Sequence, residues 1–321
     1  MGPRAPCVLI PGGGGPAAIC AIRSLRRSGF TGRIVASDPD PLSPGLLLAD
    51  AAAVLPPSAE PSFWPQALEL VEREGVQVVL PTSGFDTQVY ADHADELARR
   101  GVIAAMSSAA AIRLAGDKWL WHEAVHDRLP LPLTRLAPDE PPAWPCFVKP
   151  RSGKGTRGAR VCQDRTELAE SLAAHPDLLL QELLPGAEYS VDVLSDMTGR
   201  ALCAVPRERL QIRDGITTRG HVRHEPEIEQ LCLDMANLLG LRGPSCHQLK
   251  RDTGGRPKFL EVNPRIGGAS IFSTLAGANL VSLTVELALG HPVTVPDFRE
   301  ITVVRVHDEL LVNDGSRPRS P

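Results

Sequence analysis

The stretch FLEVNPRIGGAS, residues 259–270, constrains the fold of this 321-residue chain more than any other segment. Its first residues are mainly apolar and follow a turn-rich segment, which predicts a strand. Side chains along a strand alternate between two faces, so Glu261, Asn263 and Arg265 are expected on one face. Pro264 has no N–H to donate to a sheet ladder, and it is expected to end the strand.

The residue types in this row point to chemistry. A carboxylate and an amide oxygen one pleat apart, from Glu261 and Asn263, suit a hard cation such as Mg²⁺. The guanidinium of Arg265 can hold a phosphate. Gly267 and Gly268 then allow the backbone to approach a ligand closely. The stretch therefore predicts a phosphate and metal site rather than a solvated sheet edge.

Composition excludes several classes of function. The net charge is -4 and the pI is near 6.2, so no overall field draws the chain to nucleic acid or to a membrane surface. Aromatic residues make up only 4%, which leaves little surface for stacking bases. No apolar run is long enough to span a bilayer. The 7 cysteines have no metal-like spacing, which predicts free thiols and a cytoplasmic location.

Residues 1–105 are predicted to form a Rossmann-like parallel sheet. The strand at residues 7–10 runs into a glycine-rich turn and a helix, and a second strand ends at Asp38. The run Gly12–Gly15 with Asp38 downstream invites a dinucleotide interpretation. Four consecutive glycines are not the spaced fingerprint, however, so a plain strand-to-helix turn is favoured and the dinucleotide interpretation stays open.

Residues 106–180 are predicted to form a second unit with a phosphate-binding loop. Its apolar strand at residues 145–149 closes on Lys149, where a lysine is costly unless it meets an anion. The loop Arg151–Gly158 follows, with three glycines and three cations, and its backbone N–H groups can cradle phosphate. Because no helix opens after it, this is not a P-loop. Phosphate binding is favoured over a solvated hairpin tip.

Residues 181–312 are predicted to form an α+β unit of antiparallel strands with helices on one side, and residues 313–321 a disordered tail. His247 is interpreted as a core residue. A cationic run lies between two of the strands and is a candidate for binding a substrate carboxylate. Its members are Arg207, Arg209, Arg213 and Arg219.

Taken in chain order, these motifs resemble the ATP-grasp superfamily, in particular the carbamoyl-phosphate synthetase large subunit and stand-alone carboxylate–amine ligases. The resemblance covers nearly the whole chain. It implies an ATP-grasp fold of α/β and α+β units, with ATP between two α+β subdomains. The motifs that carry it are Lys118, the segment 147–150, the loop 151–158, the segment 181–186 with Glu188, and the row from Glu261 to Arg265.

The resemblance also implies a role for each matching residue. The catalytic residues would be Arg265, Arg219 and Lys149. The ATP-binding residues, covering phosphates, lid, adenine and ribose, would be Lys118, Lys149, Ser152, Gly153, Lys154, Gly155, Thr156, Gly158, Gln181, Glu182, Leu183, Leu184 and Glu188. The metal ligands would be Gln248, Glu261 and Asn263. Many relatives place an acid at the position of Gln248 and some carry Gln, so the neutral amide here weakens one metal site by one charge.

The resemblance implies an ADP-forming ligase that uses ATP with Mg²⁺, or Mn²⁺ in its place. A small-molecule carboxylate would be activated as an acylphosphate and then attacked by an amine. Neither nucleic acid nor a membrane is an expected partner, and a homodimer is an expected assembly. Two alternatives stay open: a nucleotide-binding regulatory protein without turnover, and a dinucleotide-binding oxidoreductase. The intact row from Glu261 to Arg265 argues against an enzyme that has lost its activity.

Overall fold

The computed structural model describes residues 5–153, 158–306 and 308–312, and the first unit is a parallel sheet of five strands in the order β3-β2-β1-β4-β5. The predicted Rossmann-like topology is confirmed. Its elements are β1 (Cys7–Pro11), α1 (Pro16–Arg27), β2 (Arg33–Asp38), α2 (Pro44–Leu48), β3 (Ala51–Val54), α3 (Phe63–Glu74), β4 (Val78–Val79), α4 (Asp86–Asp92), α5 (Ala94–Arg99) and β5 (Ile103–Ala104).

This unit differs from its sequence prediction in two places. The sequence of residues 88–100 predicts one helix, but the structure interrupts it at His93, so α4 and α5 are separate. The short elements α2 and β3 were not predicted, because a proline- and serine-rich segment precedes them. Burial of Leu46 in α2 and parallel pairing of β3 with β2 stabilise them, and both effects depend on distant residues.

The second sheet has four antiparallel strands in the order β6-β9-β7-β8. The elements from residue 106 onward are α6 (Ala109–Gly116), α7 (Lys118–Val125), β6 (Thr134–Leu136), β7 (Cys146–Pro150), β8 (Arg160–Cys162), α8 (Arg165–Ala174) and β9 (Leu178–Glu182). Helices α6 and α7 do not pack on this sheet's core. Trp121 and Val125 of α7 lie instead in a cluster with Val191 and Phe259 of the third sheet's strands.

The third sheet has six antiparallel strands in the order β14-β13-β10-β11-β12-β15. Its elements are β10 (Glu188–Ser195), β11 (Ala201–Arg213), β12 (Ile216–Val222), α9 (Pro226–Leu238), β13 (Gly243–Arg251), β14 (Pro257–Asn263), α10 (Ile271–Ala276), α11 (Leu280–Ala288) and β15 (Ile301–Val304). Helix α9 covers one face, where Ile228 and Met235 pack against Val191 and Val193. The opposite face of β10, β11, β13 and β14 carries polar side chains.

The segment after β14 connects the third sheet to the first unit. The sequence of residues 271–289 predicts one helix, but Gly277 adopts φ 114° and separates α10 from α11. Val281 and Val285 of α11 pack against Ala18 of α1. The Ile266 N–H donates to the Pro81 carbonyl at 2.9 Å, just beyond β4. The loop after Arg265 therefore lies against the carboxyl ends of the parallel strands.

Candidate active site

The row on β14 lies together on one face of the six-stranded sheet. The Asn263 Nδ2 donates to Glu261 Oε1 at 2.9 Å, and the Arg265 Nη2 donates to Asn263 Oδ1 at 3.3 Å. Gln248 of β13 pairs directly with Glu261, so its side chain lies beside that carboxylate. All four side chains are half-buried. The structure thus brings the three predicted metal ligands and Arg265 into one group.

Lys149 reaches this group from the four-stranded sheet. A β-bulge between Gln248 and Leu249 leaves Leu260 as the extra residue of β14, and the Lys149 Nζ donates to the Leu260 carbonyl at 2.8 Å. The lysine is 8% exposed. Burial lowers its pKa to about 8, which Glu261 opposes and Lys118 reinforces. The two sheets therefore meet where the predicted phosphate and metal residues lie.

Helix α7 holds the base of the predicted phosphate loop. The Asp117 carboxylate accepts from the N–H groups of Trp119 and Leu120, and it also accepts from Arg151 Nε and Nη2 at 2.8–3.0 Å. Hydrogen bonding to Arg151 keeps the pKa of Asp117 below its usual range. The Lys118 Nζ donates to the Gly153 carbonyl at 3.2 Å.

The described part of the predicted lid is open to solvent at its first residues. Ser152 and Gly153 are exposed, and Gly158, at φ 75°, lies at the other end of the loop. Lys154, Gly155 and Thr156 lie outside the described residues, as does the predicted tail at residues 313–321.

The segment predicted to contact adenine passes between the two sheets. Gln181 is buried, and its Nε2 donates to Thr134 Oγ1 at 2.8 Å. The Glu182 N–H donates to the Leu133 carbonyl at 3.0 Å, and its carboxylate accepts from Lys258. Because that N–H is used within the sheet, Leu183 and Leu184, which follow the end of β9, are the better candidates for reading a base edge.

Arg209 of β11, predicted only as one member of the cationic run, lies beside the group on β13 and β14. Its Nη1 donates to Glu188 Oε1 at 2.7 Å and to Gln248 Oε1 at 3.2 Å, while Nη2 donates to the Gly215 carbonyl at 2.7 Å. Its side chain is only 4% exposed. The sequence signal was available but weak, because an arginine two residues after Arg207 on a strand shares its face.

Two arginines of the cationic run lie elsewhere. Arg207 is 1% exposed and forms an ion pair with Asp192 at 2.8 Å, so the prediction that it binds a substrate carboxylate is wrong. Arg219 is exposed. Its neighbour Gly220 lies opposite Arg209, so strand alternation turns Arg219 to the other face of the sheet. The structure does not bring Arg219 to the group.

The glycine turn of the first unit is held by its own residues. The Asp38 carboxylate accepts from the Gly14 N–H at 2.8 Å and from Ser43 Oγ at 2.5 Å. A Cβ atom on Gly45 would lie 2.5 Å from the Gly13 carbonyl oxygen, so the backbone segments are in close contact there. Asp38, the residue that would hold a ribose, is thus used inside the turn, and the dinucleotide interpretation loses its support.

Buried thiols and the buried histidine take no part in this group. All seven cysteines are free, as predicted, and burial raises the pKa of both Cys146 and Cys246 to about 11. Such thiols are poor nucleophiles. His247 is fully buried with its pKa lowered by burial to about 3, and its Nε2 lies 3.0 Å from Ser245 Oγ. The interpretation of His247 as a core residue is confirmed.

Two antiparallel sheets that meet at a buried lysine and a Glu-x-Asn-x-Arg row are the arrangement to compare with known proteins. Residues 174–309 match the family model described as "ATP-grasp in the biosynthetic pathway with Ter operon". The predicted resemblance to the ATP-grasp superfamily is therefore confirmed.

Known proteins of this fold include several ligases. The carbamoyl phosphate synthase large chain of Halomonas eurihalina is 24% identical over 304 residues, which cover 84% of this chain and 28% of the relative. The ADP complex of an N5-carboxyaminoimidazole ribonucleotide synthetase has a TM-score of 0.73 at 16% identity, covering 94% of this chain and 81% of that one. The L-amino acid ligase from Bacillus licheniformis has a TM-score of 0.69 at 16% identity, covering 89% and 75%.

The first of these relatives is much longer than the chain described here, which spans little more than a quarter of its length. Across the described residues, the helices are all too short or too polar to cross a membrane.

Proposed function

We propose that this protein is an ADP-forming, ATP-dependent ligase that joins a small-molecule carboxylate to an amine. The observation that carries the proposal is the meeting of Lys149 with the row on β14. Lys149 lies within hydrogen-bond distance of the residue that precedes Glu261. A buried cation and a row of hard oxygen ligands at one point suit a triphosphate with its metal.

The donor set on the sheet face fits Mg²⁺ or Mn²⁺. Glu261 and Asn263 offer a carboxylate and an amide oxygen from same-face positions on one strand, and Gln248, the third predicted ligand, lies beside Glu261 on the neighbouring strand. Oxygen ligands of this kind are preferred by hard divalent cations. When bound, the ion would neutralise charge on the phosphate oxygens.

The remaining residues of the group would position the reactants. Lys149 and Lys118 would bind phosphate oxygens, since both ammonium groups now donate to carbonyls that a phosphate oxygen can replace. Arg265 would stabilise the transferring phosphoryl group through its guanidinium. Glu188 would accept hydrogen bonds from the ribose hydroxyls through the carboxylate oxygen that does not bind Arg209.

The proposed reaction has two steps. A carboxylate oxygen of the substrate attacks the γ-phosphorus of ATP, the bond to the β-phosphate oxygen breaks, and ADP leaves. The amine nitrogen then attacks the acyl carbon, inorganic phosphate leaves, and the nitrogen loses a proton. No covalent enzyme intermediate is needed. Two similar folds support this chemistry, because one is an L-amino acid ligase and the other a synthetase bound to ADP.

Hydroxylamine trapping tests the reaction class. The protein is incubated with ATP, Mg²⁺, hydroxylamine and a panel of amino acids and other small carboxylic acids. The expected result is a hydroxamate together with stoichiometric ADP. Formation of AMP and pyrophosphate would show an adenylate instead and would contradict the proposal.

A charge-removing variant tests the metal role within the same assay. Glu261→Gln keeps the shape of the side chain but removes the charge that faces the cation. We expect turnover to fall about 100-fold or more, the size seen when one preorganised electrostatic group is lost. Glu208→Gln serves as the control, because Glu208 lies beside Arg209 on β11 and points to the opposite face. Equal turnover in both variants would argue against the metal role of Glu261.

We also propose a cytoplasmic location and a homodimeric assembly for the protein. Seven free cysteines support a reducing compartment such as the cytoplasm. A homodimer remains the expected assembly, and light scattering at several protein concentrations would measure it.

A further inference from the structure

Gln248 occupies the position where many ATP-grasp relatives place an acidic metal ligand. In this protein the Gln248 side chain accepts a hydrogen bond from a guanidinium. The Arg209 Nη1 donates to Gln248 Oε1 at 3.2 Å and also to Glu188 Oε1 at 2.7 Å. The Arg209 side chain is only 4% exposed. A third hydrogen bond, from Nη2 to the Gly215 carbonyl, fixes the orientation of the guanidinium. A cation is therefore held firmly against the neutral amide.

The charges around Gln248 are unfavourable for a second dication. Among the described residues near Gln248, the half-buried carboxylates are Glu188 and Glu261. The cations are Arg209 and Arg265 on this face, Lys250 opposite Glu188, and Lys149, which reaches in from the other sheet. A Mg²⁺ ion bound to Gln248 Oε1 at about 2.1 Å would lie no more than about 5.3 Å from Arg209 Nη1. At that separation a dication and a buried guanidinium repel each other strongly.

We propose that this site binds a single divalent cation, on Glu261 and Asn263, and that the Arg209 guanidinium takes the place of a second one. Arg209 then neutralises phosphate charge on the side of the nucleotide that faces Glu188. An uncharged residue at position 248 agrees with this role of Arg209, because the arginine rather than a metal ion would neutralise a carboxylate there. This inference rests on the proposed function, since it assumes that a nucleotide binds between the two sheets.

Counting bound Mn²⁺ tests the inference without any turnover. The protein is saturated with β,γ-methylene-ATP, and Mn²⁺ bound per bound nucleotide is measured by equilibrium dialysis and by electron paramagnetic resonance. We expect one Mn²⁺ per nucleotide and no magnetic coupling between two ions. Two Mn²⁺ per nucleotide in the wild-type protein would overturn the one-cation site while leaving the proposed ligase intact. Failure of the wild-type protein to bind the nucleotide would overturn both.

Two variants separate the roles of the two residues. Gln248→Glu alone is expected to keep one Mn²⁺, because Arg209 neutralises the new carboxylate. Gln248→Glu combined with Arg209→Met is expected to bind two Mn²⁺ per nucleotide. A count of one in the double variant would contradict the role of Arg209. Arg213→Met is the matched control, since Arg213 lies near the hairpin turn and is exposed, and its count should stay at one.

Discussion

Two arginine–carboxylate pairs connect the same two strands, β10 and β11, and they differ in burial. The Asp192–Arg207 pair joins side chains that are 5% and 1% exposed, at 2.8 Å, whereas Glu188 of the Glu188–Arg209 pair is 22% exposed. The first pair lies beneath the loop after Arg265, because a Cβ on Gly267 would lie 2.9 Å from Asp192 Oδ1. The second pair borders the proposed nucleotide site.

The comparison shows that two similar arginine–carboxylate pairs have different roles because one carboxylate is buried and the other is partly exposed. Asp192 also accepts from Ser273 Oγ at 2.5 Å, and the guanidinium of Arg207 lies over the ring of Phe272. Both side chains of this pair are buried and lie against the loop that carries Arg265, so the pair supports that loop. The Glu188 carboxylate is partly exposed to solvent and can therefore bind a ligand.

The largest effect is expected from breaking the buried pair. Asp192→Ala leaves the Arg207 guanidinium buried without its partner, which costs about 3–5 kcal/mol in the free energy of unfolding. Urea denaturation followed by circular dichroism measures this. Arg200→Ala is the control, because its pair with Asp196 has an arginine that is 76% exposed and should contribute less than about 1 kcal/mol. Similar losses in the two variants would remove the distinction drawn here.

The half-open pair is expected to affect binding more than stability. Glu188→Gln removes a charged acceptor for the ribose hydroxyls, so the affinity for ATP should fall by about 1.5–3 kcal/mol, the value of a hydrogen bond to a charged group. The free energy of unfolding should fall less than in Asp192→Ala, because an amide oxygen at position 188 can still accept from Arg209, which also donates to Gln248 and to the Gly215 carbonyl. Calorimetric titration and urea denaturation measure the two quantities. Unchanged ATP affinity would contradict the assignment of Glu188 to the site.

Lys149 extends the comparison to a buried cation that hydrogen-bonds to a carbonyl rather than to a carboxylate. Its pKa is lowered by burial to about 8, with Glu261 of β14 and Lys118 and His122 of α7 as the charged or titratable groups around it. Bound phosphate requires the ammonium form. ATP affinity should therefore be constant below about pH 7 and fall about tenfold per pH unit above pH 8.

The pH profile of a variant identifies the group responsible for that fall. Lys149→Arg keeps a positive charge at all accessible pH values, since the arginine pKa exceeds about 12. Its ATP affinity should be independent of pH between 7 and about 9.5 even if its absolute value is lower. A wild-type profile that stays flat to that pH would contradict the lowered pKa of Lys149.

The smallest effect is expected from the hydroxyl that supports the buried pair. Ser273→Ala removes one hydrogen bond to Asp192 but leaves the ion pair, so the free energy of unfolding should fall by about 1 kcal/mol. ATP affinity should not change. A loss as large as that of Asp192→Ala would show that the hydroxyl and the ion pair act as one unit.

Much of the site could be predicted because it depends on local geometry. The alternation of side chains along β14 places Glu261, Asn263 and Arg265 on one face whatever the strand pairs with. The parallel sheet of the first unit follows likewise from short apolar strands alternating with amphipathic helices. A pattern with a period of two or of 3.6 residues is a property of the sequence itself.

Other features were decided only by tertiary structure. Arg209 meets Glu188 and Gln248 because β11, β10 and β13 pair in a particular register. The contact of Lys149 with the Leu260 carbonyl needs a bulge in β14 and the approach of a second sheet. Register and sheet packing bring together residues that are far apart in the chain, so no local pattern records them. The sequence by itself therefore determined which chemical groups the protein carries, and the tertiary structure decided which of them meet.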